Sequence, residues 1–261
     1  MTTSFVFYWP AWLTSILIFL LILFFIWVGS TFQKYEQRVG KQAIVKELSS
    51  LENSMLGLLG LLLAFTFGMG LEKFNERRRV IIEEANAIGT AILRADLYPD
   101  STRTVLRKDF QQYVEARIDY YDAVVDNEKI KKAQEKTEYY SSRIWKLVTN
   151  LSQDLDNRVR TQQMVPAMNN VIDLVTTREE SRLAKVPPLI LLVLLLMIVV
   201  GSFLVGYDPK DKNRILIISF AFISSLTLYL ILELDHPRRG LINLDTAENS
   251  FLELRKLFKA D

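Results

Sequence analysis

The sequence predicts an all-α membrane protein with four transmembrane helices and a helical extramembrane domain between the second and third of them. Half of the 261 residues are hydrophobic and 24% are charged, and the two kinds are separated along the chain. Four uncharged blocks of 17 or 18 residues match a helix that crosses a hydrocarbon core of about 30 Å. No segment shows the two-residue alternation of a strand.

The apolar blocks divide the chain into four parts. The blocks are 11–28, 55–71, 189–206 and 215–232. We predict transmembrane helices one and two with their link in 1–71, a helical cytosolic domain in 72–188, transmembrane helices three and four in 189–234, and a C-terminal cytosolic tail in 235–261. Four spans place both termini and the 72–188 domain on the same side of the membrane.

The positive-inside rule favours a cytoplasmic 72–188 domain. Near the span ends, this side carries ten Lys and Arg residues and the other side carries seven. The first span alone argues for the opposite orientation, because all of its basic residues follow it. We expect the domain and both termini to be cytoplasmic, and the opposite orientation stays open.

Composition excludes several functional classes. The absence of Cys excludes disulfides, thiolate metal sites and cysteine nucleophiles. A single histidine, His236, leaves little for histidine-based catalysis or metal binding. A net charge of +2 gives no basic footprint for nucleic acid. We therefore expect no catalytic residue, no metal ligand, no cofactor and no nucleic-acid partner, and we do not expect an enzyme.

The 72–188 segment is predicted to be a helical bundle built on an extension of the second span. Span two continues without Pro to about residue 97, which predicts one helix of about 40 residues, followed by a turn and N-cap at Pro99, Asp100 and Ser101. Apolar stripes with helical spacing predict the buried faces. They are Leu106, Phe110, Tyr113, Arg117, Tyr120 and Val124; then Tyr140, Ile144, Leu147, Leu151, Leu155 and Val159; and, after an interruption at Pro166, Met168, Val171, Ile172 and Val175.

A stripe of small residues marks span two. It consists of Gly57, Gly60, Ala64 and Gly68, and small residues let helix backbones approach closely in a membrane. The stripe could pack against another helix of the same subunit. Alternatively, span two could pack against copies of itself around an axis and line a pore. The unbroken continuation into a charged extension favours the pore.

The extension is crowded with charges at helical spacing. Glu72, Glu76, Arg79 and Glu83 are i,i+3 or i,i+4 neighbours, and a solvated, salt-bridged face is the simpler interpretation for most of them. At the mouth of a symmetric pore, rings of such residues would set ion selectivity. Three further residues indicate a buried, hydrogen-bonded contact with another helix: Asn86, Gly89 and Asp96.

The end of span four, residues 233–245, reads ELDHPRRGLINLD and predicts a sharp exit from the bilayer. Its carboxylates, Glu233 and Asp235, could belong to a cation site, but Arg238 and Arg239 stand where more acidic ligands would be needed. Pairing with basic residues or capping of neighbouring helices is the simpler interpretation. A paired-carboxylate enzyme has no supporting nucleophile, base or metal cluster.

Two blocks resemble the bestrophin family of pentameric ion channels. Residues 58–88, LLGLLLAFTFGMGLEKFNERRRVIIEEANAI, are similar to the bestrophin pore helix, and residues 233–245 are similar to the acidic, Pro-Gly, Asn and Leu-Asp pattern after its last span. The order of elements also agrees. The run EEANAIGT at 83–90 is typical of the bacterial bestrophin-like family.

The resemblance implies a bestrophin-like homo-oligomer, a pentamer, that conducts small monovalent ions across the bacterial inner membrane through a pore lined by span two. The implied pore-lining residues are Leu56, Gly60, Ala64, Phe67, Gly68 and Leu71. The implied pore mouth or vestibule consists of Glu72, Asn75, Glu76, Arg79, Glu83 and Asn86. The implied exit turn of span four contains Glu233, Asp235, Pro237 and Asp245.

The chain departs from bestrophins at two places. Alignment on Asn75 puts the three constriction positions at Leu56, Gly60 and Ala64, whereas a rotated face would present Leu58, Leu62, Phe65 and Met69. The acidic cluster that binds calcium in animal bestrophins is absent, so we expect no calcium gating. The family contains anion-selective and cation-selective members, which leaves the charge of the ion open.

The main alternative is a non-conducting membrane-anchored scaffold or signalling protein whose helical cytosolic domain binds a partner. It predicts no ion flux and no central axis of span-two helices. A secondary transporter has less support, because the chain has no internal repeat and no charged residue within its four apolar blocks.

Overall fold

The structure, a computed structural model, describes residues 10–39, 45–123, 126–208, 213–236 and 241–259, and these contain helices and no strand. The α-helices are α1 (Ala11–Arg38), α2 (Val45–Ala95), α3 (Asp100–Asp122), α4 (Asn127–Leu151), α5 (Arg158–Leu183), α6 (Pro188–Tyr207), α7 (Arg214–Asp235) and α8 (Asp245–Leu254). Two short 3₁₀ helices cover Leu155–Asn157 and Arg255–Phe258. The predicted all-α class is confirmed.

Four of these helices, α1, α2, α6 and α7, are long and apolar enough to cross a membrane, as predicted. The chain divides into two compact units. The membrane unit comprises Met1–Phe74 and Lys185–Ile242, and the bundle unit comprises Asn75–Ala184 and Asn243–Asp261. The C-terminal helix α8 therefore belongs to the bundle unit.

The core of the membrane unit takes residues from all four apolar helices. Its buried members are Ile22, Ile26, Leu59, Leu63, Leu194, Ile198, Ala221, Leu228 and Ile231. Helices α1 and α6 meet backbone to backbone at Gly29 and Gly206: a Cβ on Gly29 would overlap the carbonyl oxygen of Phe203, and one on Gly206 would overlap that of Ile26. Glycine is required at both positions because no side chain fits between the two helices.

The first predicted stripe of the bundle unit is confirmed, and the second is wrong in its second half. On α3, Leu106, Phe110, Tyr113, Arg117 and Tyr120 are all buried, and Val124 lies outside the described residues. On α4 the buried residues are Ala133, Thr137, Ile144 and Val148. Leu155 and Val159 are exposed because α4 ends at Leu151, and the turn that follows rotates them away from its buried face.

Helix α5 contains Pro166 without a break, so the predicted interruption is wrong. Pro166 is exposed, and a proline costs one backbone hydrogen bond but can remain in a helix that packing holds in place. Met168 and Val171 are buried as predicted, Val175 is half-buried and Ile172 is exposed.

The boundaries of α2 and α3 also differ from the sequence-based ones. Helix α2 begins at Val45, ten residues before the second apolar block, and ends at Ala95. Pro99 occupies the N-cap of α3, so Asp100 and Ser101 lie in its first turn. Arg77 of α2 binds the C-terminal end of α5, where its guanidinium donates hydrogen bonds to the carbonyl oxygens of Ser181 and Ala184 at 3.2 and 2.7 Å.

We expect Gly206→Ala to destabilise the membrane unit, because the new methyl group would force α1 and α6 apart. Overpacking of this kind costs about 1–3 kcal/mol. Gly201→Ala in the same helix is the control, because the nearest atom to its added Cβ is Cδ2 of Leu56 at 3.5 Å, an ordinary contact. Thermal unfolding in detergent measures both variants, and equal midpoints would contradict the close helix contact.

Candidate functional site

Helix α2 has two different sides within the membrane unit. Leu59, Leu63 and Thr66 are buried among the neighbouring helices, and a Cβ on Gly70 would lie 3.6 Å from Cβ of Leu234. The opposite side is exposed in the isolated subunit and carries Gly57, Leu58, Gly60, Leu61, Ala64, Phe65, Gly68 and Leu71. We call these eight residues the open face of α2.

The small-residue stripe lies on this open face. A Cβ built on Gly57, Gly60 or Gly68 would meet no atom of the described chain within 4 Å. Packing within the subunit, the first interpretation of the stripe, is therefore not seen at these glycines in the described residues. Among the described residues, two helix backbones meet most closely at Gly29 and Gly206, which the sequence analysis did not single out.

The sequence-based pore residues divide between the two sides of α2. Gly60, Ala64, Gly68 and Leu71 lie on the open face. Leu56 is half-buried against Gly201, and Phe67 packs against the membrane-unit core.

The rotated alternative for the constriction divides in the same way. Leu58 and Phe65 are exposed, at 51% and 62%. Leu62 and Met69 are half-buried, and Leu62 packs against the core of the membrane unit.

The charged extension of α2 forms a solvated ladder. Arg79 pairs with Glu76 at 2.7 Å and with Glu83 at 2.9 Å, and the hydrogen bond from Arg79 lowers the pKa of the Glu76 carboxyl. Glu72 and Asn75 are exposed. The simpler interpretation of this surface is therefore supported for Glu76, Arg79 and Glu83.

The three residues expected to make a buried helix contact behave differently. Asn86 is exposed rather than buried, and its carbonyl oxygen accepts the Thr90 hydroxyl. Gly89 faces Leu254 of α8, whose Cδ2 would lie 3.3 Å from an added Cβ. Asp96 accepts a hydrogen bond from Arg107 at 2.7 Å.

The carboxylates at the end of α7 bind backbone groups. Both are buried. Asp235 Oδ1 accepts the Val186 N–H at 3.0 Å, just before α6 begins, and Glu233 Oε2 accepts the Leu241 N–H at 2.7 Å. These carboxylates therefore hold the backbone just before α6 and just after α7, but neither hydrogen bond caps a helix, because α6 and α8 have no side-chain cap.

The rest of the predicted exit turn is less enclosed. Asp245 is exposed in the first turn of α8, where it accepts the Asn243 amide at 2.8 Å, and Pro237 lies outside the described residues. Among the residues that the structure describes, no group of three His, Asp or Glu side chains is placed to hold a metal ion.

Sequence reasoning missed a buried ion cluster in the bundle unit. Glu84 of α2 is fully buried, and its two carboxylate oxygens accept hydrogen bonds from Nε and Nη2 of Arg117 at 2.6 and 2.9 Å. Arg178 of α5 donates a third hydrogen bond to Glu84 at 3.3 Å. We call these three residues the Glu84 cluster; it joins α2, α3 and α5.

Aromatic rings enclose the cluster. The Arg178 guanidinium lies 4.0 Å from the ring centroid of Tyr121 and 4.7 Å from that of Tyr120, within the range of cation–π attraction. Burial raises the pKa of the Tyr113 and Tyr121 hydroxyls well above their usual value, so both stay neutral. Burial opposes the charge on Arg117, but the attraction of the Glu84 carboxylate, with further contributions from its hydrogen bond and from Tyr113 and Tyr121, leaves the net pKa of Arg117 raised.

One signal in the sequence could have revealed this cluster. Arg117 stands within an apolar stripe, one turn from both Tyr113 and Tyr120, and a charge at such a position needs a buried partner. Glu84 stands likewise between Val80 and Ile88, which are both buried.

The comparison of sequences identifies a family. A sequence model of the Bestrophin-like domain matches residues 16–248. No curated protein matches the chain.

Solved structures of a bacterial bestrophin homologue from Klebsiella pneumoniae share the fold. One variant of that protein superimposes with a TM-score of 0.71 at 12% identity, covering 95% of this chain and 99% of the other. A second variant gives 0.67 at 14% identity, with 94% and 99% covered. A structure phased with zinc gives 0.64 at 14% identity, with 92% and 98% covered.

We expect Glu84→Gln to destabilise the protein strongly, because it leaves two buried guanidinium groups without their carboxylate. Breaking a buried pair from one side costs about 3–5 kcal/mol. The matched control is Glu83→Gln, one residue away, which removes only a solvent-screened pair with the exposed Arg79 and should change stability little. Unfolding of the detergent-solubilised protein measures both. If both variants lower the free energy of unfolding by similar amounts, the Glu84 cluster does not contribute more to stability than an exposed ion pair.

Proposed function

The chain belongs to the bestrophin-like family, and from this we propose that it is a homo-oligomeric ion channel, a pentamer in the bacterial inner membrane, with α2 lining the pore. Bestrophins are an ion channel family. Conduction makes and breaks no covalent bond. An ion sheds part of its hydration shell in the pore and is selected by its size and charge.

The open face of α2 is the observation that carries this proposal. Helices that cross a membrane gain stability by close packing at small residues, yet a Cβ added to Gly57, Gly60 or Gly68 would meet no atom of the described subunit within 4 Å. In a ring of subunits, the open face of each α2 would line the central axis and contact the α2 helices of neighbouring subunits. Gly60, Ala64, Gly68 and Leu71 would line the narrow part, bordered by the half-buried Leu56 and Phe67.

The charged extension supports a vestibule at the end of this pore. Exposed or half-exposed polar side chains follow one another along the extension: Glu72, Asn75, Glu76, Arg79, Glu83 and Asn86. Repeated around an axis, they would form rings of both charge signs, which act on a passing monovalent ion through its charge. The count of basic residues near the span ends supports a cytoplasmic bundle unit.

Flux through liposomes tests the proposal directly. We expect the purified protein to form rings of about five subunits and to pass either chloride or sodium and potassium down an imposed gradient, which also decides the charge preference. Empty liposomes are the control. A monomer or dimer without flux would contradict the channel and favour the scaffold that binds a partner through its bundle unit.

Substitutions on the open face test the pore assignment. Gly60→Phe and Ala64→Phe place a ring at the predicted narrow part, and we expect conductance to fall by about tenfold or more. Leu192→Phe adds a ring to the exposed side of α6 and should conduct normally. If the Gly60 and Ala64 variants assemble and conduct like the unaltered protein, α2 does not line the pore at that level.

A further inference from the structure

A cavity of about 670 Å³ lies within the bundle unit between α3, α4 and α5. This volume is in the range of sites that enclose small organic molecules. Its deepest lining residues are buried: Tyr113, Arg117, Tyr120, Thr137 and Arg178. Two members of the Glu84 cluster therefore form part of its floor, and the proposed pore makes no use of this space.

The floor carries an excess of positive charge. Arg117 and Arg178 share the single carboxylate of Glu84. The nearby Glu179 is already bound, at 2.5 Å by Arg182 and at 3.3 Å by the Tyr120 hydroxyl. Among the buried groups, two guanidinium groups thus share one carboxylate, and a buried charge in excess favours a bound counter-ion.

Donors remain for such a counter-ion. Within the described residues, Arg117 gives only Nε and Nη2 to Glu84, and Arg178 gives only Nη1. Both arginines line the cavity, and no hydrogen bond within the described residues uses Arg117 Nη1 or Arg178 Nη2. If the counter-ion is a carboxylate, its hydrogen bonds to the two guanidinium groups are charge-assisted, and such bonds are stronger than those between neutral groups.

The other lining residues restrict which kind of molecule the cavity can bind. Part of the lining is apolar and suits an aromatic or branched group of the ligand. It consists of the half-buried Trp145 and Val175 and the rings of Tyr113 and Tyr120. Two exposed glutamates lie among the lining residues farther out: Glu138 and Glu180. Their negative charge disfavours a ligand that carries several negative charges of its own.

We propose that this cavity binds a small organic anion with a single carboxylate and an apolar body, and that the carboxylate binds Arg117 and Arg178. The occupant then shares the two guanidinium groups with Glu84. Because Glu84 belongs to α2, binding changes how firmly α2 is held in the bundle unit. This last step rests on the proposed function and makes the cavity a regulatory site of the channel.

Trp145 provides a direct readout of binding. The chain has four tryptophans, so replacing the other three in W9F/W12F/W27F leaves only the one that lines the cavity. The full-length oligomer in detergent is titrated with 3-phenylpropionate, with its neutral amide and with phenylsuccinate, a dianion. We expect a saturable change of Trp145 fluorescence with 3-phenylpropionate, and binding about tenfold weaker or more for the other two probes.

Two neighbouring threonines supply matched variants outside the ion cluster. Thr176 lines the cavity, whereas Thr177 does not, and both are exposed on α5. Thr176→Phe should weaken 3-phenylpropionate binding about tenfold, and Thr177→Phe should leave it unchanged. Equal binding of the acid and its amide, equal binding by the two variants, or no saturable change would overturn the proposed site.

Flux measurements separate this inference from the channel proposal. A change of flux on adding 3-phenylpropionate, lost in Thr176→Phe and kept in Thr177→Phe, supports regulation through the cavity. Binding with unchanged flux overturns the regulatory step and leaves the site in place. Binding without flux under any condition overturns the channel proposal and the regulation that depends on it, but not the ligand site.

Discussion

The bundle unit depends on one buried carboxylate. Glu84 accepts hydrogen bonds from Arg117 on α3 and Arg178 on α5, and it has no exposed surface. A carboxylate in such a place is tolerated only when it is paired and hydrogen-bonded. Since the guanidinium fork accepts few geometries, the pairing also fixes the rotation of α2 about its own axis relative to α3 and α5. The ladder from Glu76 to Glu83 is then directed to solvent.

Helix α2 combines two environments in one continuous element. Its residues 55–71 are uncharged, and charges begin at Glu72. Within the membrane unit it packs through Leu59 and Leu63 and leaves a face of small residues open; within the bundle unit it packs through residues such as Ile88 and Ile92. One continuous helix of 51 residues therefore contributes to the cores of both units.

Much of the fold could be predicted because hydropathy and periodicity are local properties. The four apolar helices and the buried stripe of α3 follow from residues that are near one another in the sequence. The second stripe failed at Leu155 and Val159 because the pattern does not record where a helix ends, and α4 ends at Leu151. Pro166 was expected to break a helix, yet α5 continues through it.

The candidate site was predicted unevenly for a related reason. The open face contains Gly60, Ala64 and Gly68, which small-residue spacing had singled out, but nothing in that spacing separates a contact within a subunit from one between subunits. The close contact of α1 and α6 rests on Gly29 and Gly206, two isolated glycines whose importance appears only when the two backbones are brought together.

The sequence by itself determined the all-α class, the four apolar helices, the continuous second span and the two blocks similar to bestrophins. Only the tertiary structure decided which charges are buried. Glu83 and Glu84 are identical neighbours, yet one is solvated and the other is enclosed. The partners of Glu84 lie 33 and 94 residues away. Whether a charged side chain is buried depends on the partners that a helix distant in sequence places beside it, and no local sequence pattern contains that information.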